Sequence, residues 1–366
     1  MFKVGKPVEG KYFYDRSKML VDVKNFLQTH QDFMIKAPRR YGKTSLIKQA
    51  IKDNREPTLY LDFRKQPRLE KISNQILDFA YAQAGVGGFI DSFLNDAFKL
   101  LRESKQSIKI NTSLMEYSVE FLSKAQKPCD LFLHALDVVN TVSSELKIKL
   151  IIIMDEFQDI KRFKCEDGDI LELLRGTIQH HENITYCFLG SIEHIMTQIF
   201  ENKKSSFYNF CRKLKLLPFE TEELVSELVI SFKSKGIVFD SEDDLTNIVA
   251  KLSGHPSNTM MVMQNIYYIS LEKEIKSISK KDIDKAYENA FEEMQDLLDQ
   301  YIVEISNKKN YYDVLYRLVR KEKQILDHSA LGQVYKGLMN LGYLLHVERG
   351  VYELNDGFLR EYIERV

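Results

Sequence analysis

Short apolar runs recur along the chain, and each ends at polar or charged residues. Phe33 to Ile35, Thr58 to Phe63, Leu150 to Met154 and Ile184 to Leu189 are runs of this kind. Such runs are typical of strands that are buried on both faces of a parallel sheet. Segments in which apolar residues recur at helical spacing lie between them. The pattern therefore predicts an α/β fold, a parallel sheet with flanking helices.

The helical segments are placed from the same periodicity. A single apolar stripe begins at Ser17, before the first strand, and Gly168 to His180 reads as the helix after the third. A glycine-rich break at 85–88 is interpreted as a hinge or turn. Structureless loops longer than about 15 residues are uncommon, so the interval between the second and third strands is interpreted as mostly helical. The helices predicted there are Leu69 to Ala84, Phe89 to Glu103 and Cys129 to Glu145.

The C-terminal part of the chain has a different pattern. From Thr221 to about Ala290 the apolar period is 3.6 and glycine is sparse, which predicts a small α-helical lid. After Asn310, two helices are followed by two strand-like runs with Arg349 and Gly350 at the turn, which is the order of a winged helix. We therefore expect a core in residues 1–220, a lid in 221–299 and a C-terminal winged-helix domain in 300–366.

The charge of the chain gives it no overall attraction to nucleic acid or to an anionic membrane. The formal net charge is −1, and hydrophobic content of 44% with 29% charged residues is that of an ordinary globular protein. From Gln300 to Val366 ten Lys and Arg stand against nine Asp and Glu, and Lys336 is the sole charge of the second predicted helix there. The winged helix is therefore expected to contact protein, or to pack within the chain, in preference to a DNA duplex.

The cysteines and the N-terminus indicate a cytoplasmic protein. No Cys-x-x-Cys pair occurs, so neither a zinc site nor a disulfide framework is expected, and the thiols are expected to be reduced and mostly buried. The N-terminus lacks the apolar segment of a signal peptide, and no run approaches the ~18 apolar residues of a spanning helix. The four cysteines are Cys129, Cys165, Cys187 and Cys211.

A glycine, a lysine and a threonine stand together after the first strand, as Gly42, Lys43 and Thr44. Backbone N–H groups of such a loop and the N-terminus of the next helix direct positive dipoles at one place, which suits a phosphate. Lys43 is expected to reach the terminal phosphates, and the Thr44 hydroxyl to complete the shell of a Mg²⁺ ion. The usual G-x-x-x-x-G-K-[ST] pattern has a glycine where this chain has Ala37. A turn that binds nothing is the alternative, and the flanking strand and helix argue against it.

A pair of acids, Asp155 and Glu156, ends the isoleucine-rich strand. Ligands of open α/β sheets sit beyond the carboxyl ends of strands, so the pair is expected beside the Lys43 loop. Asp155 is assigned to Mg²⁺ and Glu156 to the water that attacks, as general base. A core strand followed by an acidic surface helix is the alternative. It is the weaker one, because the Lys43 loop and the acid pair occur together in the order expected of a single phosphate site.

The strings APRRYGKTSL and IIIMDEF, with the other elements in order from Val8 onward, resemble the archaeal-type P-loop ATPases of the AAA+/STAND grouping. The resemblance implies ATP and Mg²⁺ as ligands, with adenine rather than guanine as the base. It also implies that the whole loop surrounds the phosphates, namely Pro38, Arg39, Arg40, Tyr41, Gly42, Lys43, Thr44 and Ser45.

The resemblance implies four further contacts. Arg16 would lie near the base, although Asp15 stands where the family has glycine, and a solvated helix N-terminus is the alternative. Ser191 would sense the γ-phosphate, and Pro256 would line the base side. Arg212 would contact phosphate in its own or a neighbouring subunit, and an ordinary solvated pair with Lys213 is the alternative.

The favoured function is a Mg²⁺-dependent ATPase in which Lys43, Thr44 and Asp155 stabilise charge and Glu156 orients water. Closure of the lid would then move the winged helix. A nucleotide-gated switch with rare turnover and a DNA-dependent motor remain open. The expected partners are ATP or ADP and a protein, with weaker support for DNA, and with further copies of the chain if Arg212 acts in trans.

Overall fold

The computed structural model describes residues 2–84, 127–348 and 350–366. Five strands form a parallel sheet in the order β2-β3-β4-β1-β5. Every residue of β3 and β4 is buried, as expected for central strands covered on both faces. The predicted parallel sheet is therefore confirmed. The strands are β1 Phe33–Lys36, β2 Thr58–Asp62, β3 Leu150–Asp155, β4 Ile184–Gly190 and β5 Arg212–Lys215.

Side chains of β3 alternate between two apolar cores, one on each face of the sheet. Ile151 and Ile153 pack on one face, with helices α1 (Ser17–Gln28) and α2 (Lys43–Ile51). Ile152 packs on the other face. The helices of that second face are α3 Leu69–Gln83, α4 Pro128–Leu146, α5 Ile170–Ile178 and α6 Glu193–Phe200.

The register of the strands brings their carboxyl ends to one edge. Asp62 of β2 pairs with Asp155 of β3, and Lys36 of β1 pairs with Gly190 of β4. The segments that follow these strands therefore emerge side by side. This edge carries the Lys43 loop, the acid pair and Ser191.

The C-terminal part is helical and then forms a hairpin before the last helix. The hairpin strands pair antiparallel, and the order of two helices and a hairpin is the predicted order of a winged helix. A pair of two-residue strands, β6 Val238–Phe239 and β7 Ser277–Ile278, lies between the earlier helices. The remaining elements are α7 Thr221–Lys233, α8 Glu242–Lys251, α9 Pro256–Glu272, α10 Lys280–Ser306, α11 Tyr311–Val319, α12 His328–Leu341, β8 Leu344–Glu348, β9 Val351–Leu354 and α13 Gly357–Arg365.

One long helix joins the predicted lid to the predicted winged helix. α10 runs without a break across position 300, where the sequence places a domain boundary. A single apolar cluster extends from Leu224 in the lid to Ile363 in α13. The two segments therefore share a core, and no flexible linker separates them.

Some predicted features fall outside the described ranges. These are the helix from 89 to 103, the glycine-rich break at 85–88 and Arg349 of the hairpin turn. The helices predicted on either side of the gap are confirmed as α3 and α4, to within one residue at each end. No helix in the described ranges combines the length and apolarity needed to cross a membrane.

The expectation of four reduced cysteines is wrong for one pair. Cys129 and Cys165 form a disulfide, with their Cα atoms 5.7 Å apart. The fold brings the start of α4 against the segment that follows the short 3₁₀ helix Phe157–Arg162, and sequence spacing carries no sign of that contact. Cys187 and Cys211 are free and buried, as predicted.

Candidate functional site

A tight loop, residues 37–42, joins β1 to α2, and Lys43 is the first residue of the helix. Gly42 has φ 86° and ψ 19°, a left-handed conformation that glycine adopts without strain. Lys43 is buried, and its Nζ donates to the carbonyl oxygens of Ala37 (2.9 Å) and Pro38 (3.0 Å). Ala37 does not have a positive φ, so alanine fits where the usual pattern has glycine. The backbone of the loop therefore surrounds the ammonium group of Lys43.

Two oxygen donors meet at the mouth of this loop. Thr44 Oγ1 lies 3.3 Å from Oδ2 of Asp155, although 111 residues separate them in sequence. Mg²⁺ takes hard oxygen donors and usually keeps several waters, so it needs few protein ligands. In the described ranges no group of three or more His, Cys, Asp and Glu side chains could hold a metal. The donor set thus fits a Mg²⁺ ion shared with substrate phosphates and does not fit an all-protein site.

Asp155 is held on both of its carboxylate oxygens. Oδ1 accepts a hydrogen bond from the backbone N–H of Glu156 (2.8 Å), and Oδ2 accepts one from the hydroxyl of Tyr60 on β2. Burial raises the pKa of Asp155 above its ordinary value, and the Tyr60 hydrogen bond opposes that rise. The carboxylate is therefore buried, oriented and within reach of Thr44.

Glu156 is also held by neighbours, through one of its oxygens. Oε2 accepts from the Ser191 hydroxyl (2.5 Å) and the Gln158 amide (2.5 Å), and it pairs with the Arg64 guanidinium at 2.8 Å. Arg64 also contacts Asp159 at 3.3 Å. Ser191, which the resemblance assigns to the γ-phosphate, thus reaches Glu156 in this structure.

A cavity of about 610 Å³ opens above the loop, and most of the predicted nucleotide contacts line it. Its polar end is formed by the loop and Glu156, and its apolar end by side chains such as Phe219 and Met294. A cavity of this size and mixed character is typical of a small-molecule site. The predicted residues in its lining are Arg16, Arg39, Arg40, Tyr41, Gly42, Lys43, Thr44, Ser45, Glu156 and Pro256.

Arg16 is buried in the wall of this cavity and is not a solvated cap. Its guanidinium donates to the carbonyl oxygens of Leu217 and Pro218 and lies 4.8 Å from the ring centre of Phe219. Nη2 is buried and has no hydrogen-bond partner within the described residues. Burial lowers the pKa of Arg16 to about 10. Asp15 has φ 51°, a left-handed conformation that glycine adopts with less strain.

The N-terminal segment closes one side of the cavity. Its backbone N–H groups at Val8 and Gly10 donate to side chains of α2, at Ser45 (3.1 Å) and Gln49 (2.6 Å). Further back, the carbonyl oxygen of Phe2 accepts from Gln264 of α9 (3.0 Å). The segment therefore connects α2 to α9.

Tyr41 connects the loop to the C-terminal part of the chain. Its side chain is 1% exposed, and its hydroxyl donates to the carbonyl oxygen of Asn355 (3.2 Å). The ring packs edge-on against His255, with centroids 5.0 Å apart. Asn258, also in the lid, donates to Asp356 (2.7 Å). The loop, the lid and the end of the hairpin thus meet at one buried point.

Arg212 is not brought to this site. It begins β5, pairs with Phe33 at the amino end of β1, and is exposed. The loop follows the opposite, carboxyl end of β1. Arg212 therefore lies at the opposite end of β1 from the loop of its own chain.

Sequence reasoning missed Tyr60, Arg64 and Gln158, which hold the two acids. Tyr60 and Arg64 come from β2 and the residues after it, and the pairing of β2 with β3 is what brings them near. Gln158 is 2% exposed and follows Glu156 by two residues. Of the three, only Gln158 is close enough in sequence to the acid pair for its contact with Glu156 to have been suggested by the sequence.

Comparison with known proteins shows similarity of fold rather than of sequence. No protein-family model matches the chain, and no curated protein matches its sequence. A Walker-type ATPase of Pyrococcus abyssi matches with a TM-score of 0.68 at 15% identity, over 99% of both chains. The ORC2 protein of Aeropyrum pernix, in its ADPNP–ADP complexes, matches with a TM-score of 0.53 at 12% identity, over 96% of this chain and 94% of that one. The chain therefore shares the fold of these two solved structures over nearly its whole length.

Proposed function

We propose that the protein is a Mg²⁺-dependent ATPase that binds ATP in the 610 Å³ cavity. The observation that carries the proposal is the meeting of Thr44 and Asp155, 3.3 Å apart, beside the buried Lys43. A loop amine, a hydroxyl and a carboxylate at a helix N-terminus form a set suited to a metal-bound triphosphate. Nothing in a merely structural turn would require all three.

Each polar group of the site would have a defined task. Lys43 would hold the terminal phosphates as a point charge, and the loop N–H groups would bind their oxygens. A bound Mg²⁺ ion, held by Thr44 and Asp155, would neutralise charge on the β- and γ-phosphates. Glu156 would orient a water in line with the β–γ bond and accept its proton as the water attacks the γ-phosphorus. The bridging oxygen would leave with ADP.

The apolar end of the cavity would take the base. Phe219, Met260 and Met294 offer flat and adaptable apolar contacts, and Pro256 begins the helix beside them. The unpartnered Nη2 of Arg16 would find an acceptor on the base or ribose. The adenine nucleotides in the similar ORC2 structure support adenine as that base.

The test is nucleotide binding and phosphate release by the purified full chain. ATP is expected to bind in EDTA and more tightly with Mg²⁺, to be preferred over GTP, and to be hydrolysed only when Mg²⁺ is present. Failure to bind any nucleoside triphosphate would remove the proposal. Mass identification of nucleotide retained through purification gives an independent reading.

A slow nucleotide switch is the second candidate, and the surroundings of Glu156 favour it. Arg64, Ser191 and Gln158 all bond to the oxygen Oε2 of the residue that would orient water. ATP hydrolysis would then be slow until a partner protein or a rearrangement breaks those bonds and frees Glu156 to orient water. Single-turnover measurements distinguish the two candidates, since a switch leaves ADP bound and reaches no steady state.

Nucleotide binding would be coupled to the C-terminal module through Tyr41. We expect Tyr41→Ala to loosen the hairpin, because truncating a buried aromatic side chain costs about 3–5 kcal/mol of local packing. Amide hydrogen exchange of residues 342–348 and 350–356 should become at least about tenfold faster without nucleotide, since 1.4 kcal/mol already gives that factor. Tyr41→Phe keeps the ring and removes the hydroxyl that bonds to Asn355, so it should show a smaller change in the same direction.

The matched control is Tyr268→Ala, which truncates a tyrosine that is 54% exposed on α9. It should leave exchange in the hairpin unchanged. Equal exchange in Tyr41→Ala and wild type would separate the loop from the C-terminal module.

A protein partner is proposed in preference to DNA for the winged helix. His194 of α6 donates to the carbonyl oxygen of Asn340 (3.1 Å), so the end of α12 packs on the core of the same chain. A helix held in this way has less surface for a major groove. An ATPase rate that does not change with added duplex DNA at low salt is the expected result.

We also propose that the chain self-associates, with Arg212 of one copy contacting the phosphates bound by the next. The exposed guanidinium could reach phosphates only in a neighbouring copy, because it lies at the far end of its own sheet. Mass photometry with and without ATP should then show an ATP-dependent oligomer. A monomer under both conditions would exclude the role of Arg212 in trans.

A further inference from the structure

Tyr60 lies on β2, the edge strand beside β3. In the parallel register it pairs with Ile153, and Asp62 pairs with Asp155. Tyr60 thus lies opposite a residue two positions before Asp155. Its long side chain extends toward the carboxyl edge of the sheet, and its hydroxyl donates to Oδ2 of Asp155. This is the same oxygen that lies 3.3 Å from Thr44 Oγ1.

This bond is the second hydrogen bond that holds the carboxylate of Asp155. Oδ1 of Asp155 is already held by the N–H of Glu156 at 2.8 Å. With Oδ2 held by Tyr60, rotation about the bond to the carboxyl carbon breaks at least one hydrogen bond. One backbone group and one side chain therefore fix the plane of the Asp155 carboxylate. In that orientation Oδ2 also lies within hydrogen-bond distance of the Thr44 hydroxyl.

The hydroxyl is suited to act as a permanent donor. A tyrosine hydroxyl has an ordinary pKa of about 10, so it carries a proton to donate near neutral pH. Its ring contacts the apolar core on the α1 and α2 face, so the side chain has little freedom to turn away.

We propose that Tyr60 is a positioning residue that orients Asp155 for the Mg²⁺ ion of the phosphate site. The inference rests on the proposed function, since it assigns a role toward the metal that the site would hold. Groups that orient a metal-binding carboxylate typically change metal affinity 10–100-fold when they are removed. Tyr60 would act through Asp155, to which its hydroxyl donates, and it is not among the residues that line the 610 Å³ cavity.

The test is Tyr60→Phe, which removes the hydroxyl and keeps the ring. Fluorescent ATP analogue binding is first measured in EDTA, where the variant should equal wild type. Mg²⁺ is then titrated into the nucleotide complex, and Mn²⁺ binding is followed by electron paramagnetic resonance. We expect the variant to need at least about tenfold more of either metal for half-saturation. At saturating Mg²⁺ its turnover should return to near the wild-type rate.

Tyr186→Phe is the matched control. It removes the hydroxyl of a buried tyrosine in the same sheet, whose bond is to His181 (2.7 Å) and not to the acid pair. Both variants would be checked by thermal unfolding, and Tyr186→Phe should leave the metal titrations unchanged. An equal shift in both would show a general loosening of the sheet and overturn the proposal.

A double-mutant cycle decides whether Tyr60 acts through Asp155. In an Asp155→Asn background, Tyr60→Phe should cause no further loss of Mn²⁺ affinity, because the two changes disrupt the same interaction. Fully additive losses, or an unchanged metal titration in Tyr60→Phe alone, would overturn the proposal. Absence of nucleotide binding by wild type in EDTA and in Mg²⁺ would instead show failure of the proposed function, so the two failures are distinguishable.

Discussion

Replacing Lys43 with alanine is expected to abolish measurable ATP binding. Hydrogen bonds to charged groups contribute roughly 1.5–3 kcal/mol each, and Lys43 would make more than one to the terminal phosphates, so affinity should fall by at least about 100-fold. The change also removes the two bonds from Nζ to the carbonyl oxygens of Ala37 and Pro38, so the fold of the variant is checked by circular dichroism and thermal unfolding before binding is compared. Isothermal titration of wild type and Lys43→Ala with ATP and Mg²⁺ measures the difference.

Lys52→Ala is the control for this change. Lys52 lies at the C-terminal end of the same helix and is exposed. The Lys52→Ala variant should bind ATP as wild type does and should unfold at the same temperature as wild type. An affinity of Lys43→Ala within threefold of wild type would contradict the assignment of the loop to phosphate.

Glu156→Gln is expected to retain nucleotide and lose turnover. The amide can still accept a hydrogen bond from Ser191 or Arg64, but it cannot accept a proton from water. General-base catalysis is typically worth 10²–10⁴-fold, so the rate of phosphate release should fall by about 100-fold or more. Dissociation of ATP, measured in parallel, should change little.

Asp159→Asn separates catalysis from the local ion pair. Asp159 contacts the same Arg64, at 3.3 Å, but does not line the 610 Å³ cavity. We expect it to retain most of the wild-type turnover. Equal turnover in wild type and Glu156→Gln would remove Glu156 from the mechanism and leave the slow-switch interpretation of the site.

Much of the sheet and the position of the site could be predicted from local patterns. The runs ending at Ile35, Met154 and Leu189 are apolar because both faces of a central parallel strand are covered, and burial of that kind is visible in composition alone. The carboxyl ends of parallel strands share an edge, so the order of the motifs was enough to place Lys43 near Asp155.

Contacts across the sheet and between distant segments could not be predicted in the same way. The strand β5, which begins at Arg212, was not predicted, because a basic, exposed edge strand lacks the apolar run that marks a central one. The disulfide of Cys129 with Cys165 likewise depends on how α4 packs on the segment after the acid pair. Such partners are chosen by packing, which a single sequence does not display.

The sequence by itself determined the order of the central strands and their helices, the glycine-lysine-threonine loop and the acid pair after the third strand, because each follows from residues that are neighbours in the chain. Only the tertiary structure decided that the Tyr60 hydroxyl bonds to Asp155, that Arg64 pairs with Glu156 and that Tyr41 is buried against Asn355. Those contacts join residues that are distant in sequence, and the free energy that selects them comes from strand register and close packing. Local periodicity records which face of an element is apolar, but not which side chain of another element will meet it.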